Sequence, residues 1–171
     1  TLLLGRFWPV LLVTLIAAAL YASTLMVTIS GCDHPYCLDA GEFQVALASW
    51  GTVHPTGYPL YMLLGSPFVT ILRWLGVSPD TGASLFSLFW GLAVVAGVTL
   101  LLERSTGSPV LSLGGGLFLA TLRPFWVHGS LPEVYSLSAA LGVAALWLTH
   151  YLGERWSDRR GWLLALTLGL G

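Results

Sequence analysis

The spacing of the charged residues constrains this sequence more than any other feature. Only 9% of its 171 residues are charged, whereas a soluble domain carries about 25%. The charges leave six long uncharged runs, of which the last begins at Gly161 and one, 43–72, is interrupted by glycines and prolines. The other four lie between Arg6 and Asp33, Asp80 and Glu103, Arg104 and Arg123, and Glu133 and Glu154. Because a helix needs about 20 apolar residues to cross a bilayer, the sequence predicts a membrane protein.

The predicted fold is all-α, a polytopic bundle of transmembrane helices in a single domain over residues 1–171. The expected spans are about 8–30, 81–102, 108–127, 133–152 and 161–171 onward, and the chain is expected to be the N-terminal part of a longer protein. A net charge of −1 and the absence of an extended basic patch argue against nucleic-acid binding.

Residues 31–79 are predicted to form an outer loop that carries interfacial or re-entrant helices. Within 39–50, apolar residues recur at helical spacing, which suits a helix lying in the membrane interface. The segment 58–75 can either cross the membrane or dip into it without crossing. The positive-inside rule favours the second arrangement, because most of the arginines then lie on the cytoplasmic side. The loop 31–79 and the loop 128–133 would then share the outer face.

Cys32 and Cys37 follow the first predicted span. A disulfide between them would suit an oxidising compartment. Two free thiols are an alternative, and a metal site with His34 is another.

The densest group of polar residues falls in the outer loop, at Asp39, Glu42, His54 and Tyr58. Charged groups at a membrane face are costly and often functional. A structural alternative is that Asp39 caps a helix and Glu42 completes a capping box three residues later. Ser130 and Glu133 have the same spacing. If both segments lie on one face, however, Asp39 and Glu133 would converge on one cavity.

Arg123 stands at the outer end of the third predicted span, in Arg-Pro-Phe-Trp. Its side chain can extend to the interface, or its planar guanidinium can bind a phosphate.

Four motifs together resemble a known family. They are Asp-Ala-Gly-Glu-Phe at 39–43, His-Pro-Thr-Gly-Tyr-Pro-Leu-Tyr at 54–61, Arg-Pro-Phe-Trp at 123–126 and Pro-Glu-Val-Tyr-Ser-Leu at 132–137. The combination resembles the N-terminal part of the protein O-mannosyltransferase-like membrane family, formerly a domain of unknown function. That family is similar in plan to the GT-C glycosyltransferases.

The resemblance implies a multi-pass membrane enzyme that takes a mannose-like sugar from a polyprenyl-phosphate carrier. It would transfer the sugar, with inversion, to a protein, glycan or lipid hydroxyl on the outer or lumenal face. Asp39 corresponds to the first-loop catalytic acid and Glu133 to a second acidic residue, and Glu42 is a further catalytic candidate. His54 and Tyr58 correspond to the element near the carrier phosphate, with Arg123 as a further phosphate ligand. No metal is expected, although a divalent cation between Asp39 and Glu133 is an alternative.

Two other functions fit parts of the sequence. The proline- and glycine-rich stretch 51–67 suggests a transporter or flippase for a lipid-linked substrate, because broken helices line transport sites. A non-catalytic membrane scaffold is the third reading, in which Asp39 and Glu133 only cap helices.

Overall fold

The computed structural model describes residues 4–29 and 39–170, and the regular structure in these two ranges consists of eight α-helices. In chain order they are α1 (Leu4–Ser23), α2 (Ala40–Ser49), α3 (Pro59–Trp74), α4 (Pro79–Thr106), α5 (Pro109–Thr121), α6 (Arg123–Ser130), α7 (Tyr135–Glu154) and α8 (Asp158–Leu170). The prediction of an all-α fold is confirmed for these residues. The predicted disulfide between Cys32 and Cys37 lies outside them.

Two helices in the described ranges, α4 and α7, are long and apolar enough to cross a membrane. The pair α5 and α6 would make a third span if its two halves count as one, although they meet at an angle of 63°. These spans identify a membrane protein. In α1, the apolar part covers Phe7–Ser23 and is shorter than a full span. The helix ends at Ser23, well before the predicted residue 30, and the Ser23 hydroxyl bonds back to the Leu20 carbonyl at 2.7 Å.

The break between α5 and α6 has a local cause at Pro124, the second residue of α6. Proline lacks the N–H that would bond to the carbonyl four residues earlier, and its ring crowds that carbonyl. The carbonyl in question belongs to Ala120. It accepts a hydrogen bond from the Tyr21 hydroxyl of α1 instead, at 3.0 Å. The predicted span 108–127 is therefore two helices, and α1 supplies the hydrogen bond that the break leaves unmade.

Helix α4 is the centre of the packing and contacts α1, α2, α3, α5, α6 and α7. It approaches α6 closely because two glycines face each other: a Cβ on Gly91 would lie 3.2 Å from the Cα of Gly129. On its other faces, α4 buries three hydroxyl side chains, Ser84, Ser87 and Thr99.

Helices α2 and α3 pack against each other and against α4. Their shared apolar core includes Phe43, Leu47, Tyr61 and Val69. Helix α3 has 16 residues, or about 24 Å at 1.5 Å per residue, which is less than the roughly 30 Å hydrocarbon thickness. The length of α3 therefore agrees with a segment that enters the membrane without crossing it.

The chain leaves α1 as an extended strap over residues 24–29. Two side chains bond to this strap: Ser84 donates to the Met26 carbonyl at 2.6 Å, and Gln44 donates to the Thr28 carbonyl at 2.9 Å. The Met26 N–H donates to the Ser130 carbonyl at 3.0 Å. Helices α2, α4 and α6 are thereby fixed to one another on the side where α2 begins.

Candidate functional site

Three polar residues of the predicted site lie together at the start of α2. Asp39 precedes the helix, Glu42 stands in its first turn, and His54 belongs to the turn before α3. One potential ligand atom from each residue lies within 4.8 Å of the other two. The structure thus brings the two outer-loop motifs into a single cluster.

Glu42 holds His54 through both carboxylate oxygens. The His54 backbone N–H donates to Oε1 at 2.7 Å, and its ring Nδ1 lies 2.7 Å from Oε2. The hydrogen bond to His54 lowers the pKa of Glu42, and the same bond raises the pKa of His54. Both side chains remain more than a third exposed. The pair fixes the ring tautomer with Nδ1–H toward Glu42, so that Nε2 is directed to the other side.

This arrangement contradicts the capping box proposed for Asp39 and Glu42. Asp39 occupies the N-cap position without a side-chain capping bond, and the Glu42 oxygens accept from His54. The second capping box is wrong as well. Ser130 ends α6 instead of starting α7, and its hydroxyl lies within hydrogen-bond distance of the Tyr21 and Trp126 carbonyls, at 3.2 and 3.0 Å.

Aromatic rings pack against His54 in the polar cluster. The Phe43 ring, which is almost fully buried, lies with its centroid 6.3 Å from that of His54 and 5.7 Å from that of Tyr58. The Tyr58 hydroxyl is 3.5 Å from His54 Nε2. Tyr58 adopts a left-handed backbone conformation with φ 41°, which turns the chain directly into α3. His54 and Tyr58 therefore form the two polar ends of one aromatic layer.

Glu133 joins this cluster from a distant part of the chain. It lies in the connection between α6 and α7 and is only 5% exposed. Burial, with a smaller contribution from the negative charge of Asp39, raises the pKa of Glu133 to about 7, and His54 acts in the opposite direction. A charge that alters the pKa of another group must lie near it. The Glu133 carboxyl therefore lies within range of the charges of Asp39 and His54, next to the cluster that these residues form with Glu42.

Arg123 is not part of this group. It begins α6 and lines a separate cavity of about 410 Å³ together with Thr24, Trp126 and Ser130.

An apolar groove begins beside Tyr58. It has a volume of about 330 Å³ and runs between α3 and α7 toward the end of α8. Its lining is mainly aliphatic and includes Leu60, Leu63, Val134, Leu137 and Leu141. One end of this groove is lined by Tyr58, whose hydroxyl is 3.5 Å from His54 Nε2. The aliphatic side chains along the rest of the groove suit a hydrocarbon chain.

A divalent cation is a chemical alternative at Asp39, Glu42 and His54, because carboxylate oxygens and imidazole nitrogens are its usual ligands. Both oxygens of Glu42 are already engaged with His54. A cation would have to displace at least one of these hydrogen bonds. The geometry described is that of a hydrogen-bonded pair.

Sequence reasoning missed Ser87, which binds the backbone of Glu133, and Tyr61, whose hydroxyl is 3.4 Å from the Ser87 hydroxyl. The only signal in the sequence is the spacing of Ser84 and Ser87, which places two hydroxyls on one face of an otherwise apolar helix.

Comparison with known families gives one match. The family model described as the protein O-mannosyl-transferase TMEM260 N-terminal domain matches residues 39–171. No curated protein and no solved structure matches the chain. The match begins at Asp39 and includes every residue of the polar cluster, and it confirms the resemblance to an O-mannosyltransferase-like family.

Proposed function

The chain belongs to the protein O-mannosyl-transferase TMEM260 family, and on that premise we propose that it forms the donor-side half of the active site of a membrane glycosyltransferase. The enzyme transfers a mannose-like sugar from a polyprenyl-phosphate carrier to an acceptor hydroxyl on the outer or lumenal face. A protein hydroxyl is the acceptor that agrees best with the family.

One observation carries this proposal. Asp39, Glu42 and His54 come from two separate motifs, yet one ligand atom of each lies within 4.8 Å of the other two. The buried Glu133 carboxyl responds to the charges of Asp39 and His54. Two carboxylates beside an imidazole are the groups that a proton-coupled displacement requires. Neither Asp39 nor Glu42 makes the capping bond that would explain it as a purely structural residue.

Asp39 is the proposed base. The acceptor oxygen attacks the anomeric carbon, the bond from that carbon to the phosphate oxygen breaks, and the acceptor proton passes to the Asp39 carboxylate. The displaced electron pair stays on the polyprenyl phosphate. A single displacement inverts the anomeric carbon and requires no covalent sugar intermediate.

His54 and Tyr58 are the proposed phosphate ligands. Because Glu42 raises the pKa of His54, it favours the imidazolium form, which carries a positive charge and an Nε2–H donor. The Tyr58 hydroxyl stands 3.5 Å from Nε2 and offers a second donor. Preorganised donors of this kind stabilise the charge that develops on a leaving group. Arg123 lines a separate cavity, and the phosphate is therefore proposed to bind to His54 and Tyr58.

Glu133 is proposed to receive the proton that Asp39 removes. A carboxyl group with a pKa of about 7 is only partly protonated at neutral pH and exchanges its proton readily there. It would act in its ionised form, returning Asp39 to the carboxylate before the next acceptor binds.

The apolar groove beside Tyr58 supports a lipid carrier. With the phosphate at His54 and Tyr58, the first isoprene units would follow the groove between α3 and α7. Its aliphatic lining matches a prenyl chain in polarity.

The transporter alternative was based on a broken spanning helix at 51–67. In the structure this stretch is a turn followed by the start of α3, whose first residue is Pro59. The scaffold alternative required Asp39 and Glu133 to cap helices, but Asp39 makes no side-chain capping bond and the N-cap of α7 is Val134. Neither alternative therefore gains support from the geometry.

The test is sugar transfer by the full-length protein in membranes, with a radiolabelled polyprenyl-phosphate mannose and a Ser/Thr peptide. We expect Asp39→Asn to reduce the rate about 10²- to 10⁴-fold, the usual contribution of a general base. Asp80→Asn is the matched control, because Asp80 lies in the first turn of α4 outside the cluster. Equal rates for wild type and Asp39→Asn would refute the role of Asp39, and a wild type without transfer would refute the function.

A further inference from the structure

Ser87 is a fully buried serine in the middle of an apolar stretch of α4. Its hydroxyl donates to the Glu133 carbonyl at 3.2 Å and accepts from the Glu133 N–H at 3.0 Å. The Tyr61 hydroxyl of α3 lies 3.4 Å from the same oxygen. One side chain thus bonds to both backbone groups of a single residue that is 46 positions away.

These bonds matter because Glu133 lies in the short connection between α6 and α7. Outside a helix, its N–H and carbonyl have no regular partner, and buried backbone groups need one. A serine hydroxyl has one proton to donate and two lone pairs to accept with. The Ser87 hydroxyl therefore bonds to both the N–H and the carbonyl of Glu133 and retains one lone pair for Tyr61.

The hydroxyl is also the direct link between α4 and the catalytic candidate. Pro132, the residue before Glu133, is fully buried and restricts the chain on one side. Ser87 fixes the next residue by two hydrogen bonds, so the position of the Glu133 Cα is determined by α4. We infer that Ser87 is a positioning residue, which fixes the backbone of Glu133 and thereby keeps its carboxyl within range of the charges of Asp39 and His54. This inference rests on the proposed function for its effect on the rate, but not for its effect on the position of Glu133.

The first test uses Ser87→Ala in the full-length protein, with Ser84→Ala as the control. Ser84 is also fully buried in α4, but its hydroxyl donates to the Met26 carbonyl. We expect Ser87→Ala to lower kcat about 10- to 100-fold, the cost of misplacing a catalytic group by about 1 Å, with little change in KM. Ser84→Ala should affect thermal stability by a similar amount but leave kcat close to that of wild type. Equal kcat losses in the two variants would overturn the inference.

The second test compares Ser87→Ala with Ser87→Ala/Glu133→Gln. If Ser87 acts through Glu133, its removal should lower kcat in the wild type but not in the Glu133→Gln background. An equal loss in both backgrounds would mean that Ser87 acts through the general packing of α4, and would contradict the inference.

A third measurement does not depend on activity. The infrared band of the protonated Glu133 carboxyl, identified by its loss in Glu133→Gln, can be titrated in both serine variants. Ser87→Ala should loosen the connection between α6 and α7 and admit water to the Glu133 carboxyl. Better solvation favours the ionised carboxylate, so the titration midpoint should fall by about one pH unit. Ser84→Ala should leave the midpoint unchanged. If no variant transfers sugar but the midpoint moves, the proposed function fails and the positioning role stands. An unchanged midpoint in Ser87→Ala would refute the positioning role.

Discussion

The buried carboxyl of Glu133 should make the protein less stable as the pH rises, and Glu133→Gln should remove this dependence. Burial raises the pKa of Glu133 from the ordinary 4.5 to about 7. Between these two values the folded state retains a proton that the unfolded state has lost. The stabilising effect is therefore complete below about pH 4.5 and is lost as the pH rises through 7. At 1.36 kcal/mol for each unit of pKa, the loss amounts to roughly 3 kcal/mol.

Glutamine has nearly the same shape as glutamic acid and carries no charge at any pH. The hydrogen bonds described for Glu133 are made by its backbone N–H and carbonyl to Ser87, and glutamine retains both of these groups. We therefore expect Glu133→Gln to leave stability nearly unchanged at pH 4.5 and to increase it by up to roughly 3 kcal/mol at pH 8.5. The same variant should lose sugar transfer, as is common when a destabilising group serves catalysis.

The assay is thermal unfolding of the purified full-length protein in detergent at pH 4.5 and pH 8.5, with Asp80→Asn as the control. Asp80 lies at the start of α4, and its substitution should shift the unfolding temperature little at either pH. The reasoning would be refuted if Glu133→Gln destabilised the protein at pH 8.5, or if its effect were the same at both values of pH.

Three further predictions follow from the contacts of the site and of the helix break. Glu42→Gln should lower the pKa of His54, because the charged hydrogen bond that raises this pKa is lost. The KM for the sugar donor should then rise at pH 7. The control Glu154→Gln, at an exposed position outside the site, should leave that KM unchanged. Chelation of divalent cations with EDTA should not reduce transfer, because both Glu42 oxygens serve His54; a loss restored by Mg²⁺ or Mn²⁺ would contradict this. Tyr21→Phe should destabilise the protein by about 1–3 kcal/mol, because it leaves the Ala120 carbonyl without the hydroxyl donor at the helix break; unchanged thermal unfolding would show that the break does not need it.

Much of the fold could be predicted from the charges alone. Helices α4 and α7 fall in two of the uncharged runs, because long apolar segments leave few other options in a bilayer. The break at Pro124 could not be located in this way, because Arg-Pro-Phe-Trp reads equally well as the end of a span. The carbonyl that proline leaves without a partner is bonded by the Tyr21 hydroxyl, which lies 99 positions away in the sequence.

The site was only partly visible in the sequence. The spacing of Asp39 and Glu42 indicated a capping box, because such a rule identifies only hydrogen-bond partners that are close in sequence. In the structure His54, 12 positions beyond Glu42, provides two donors in a geometry that a helix terminus cannot match. The predicted topology places Glu133 and Asp39 on one face, whereas Ser87 could not be found without the packing of α4 against the residues between α6 and α7.

The central claim is that Asp39 and Glu133 belong to one site, and the infrared titration of Glu133 in Asp39→Asn tests it most directly. Because the charge of Asp39 raises the pKa of Glu133, removing that charge should lower the midpoint by a few tenths of a unit to about one unit. Asp80→Asn should leave the midpoint where it is in the wild type. A Glu133 midpoint that does not change in Asp39→Asn would show that the two carboxylates do not share a cavity, and the proposed active site would have to be abandoned.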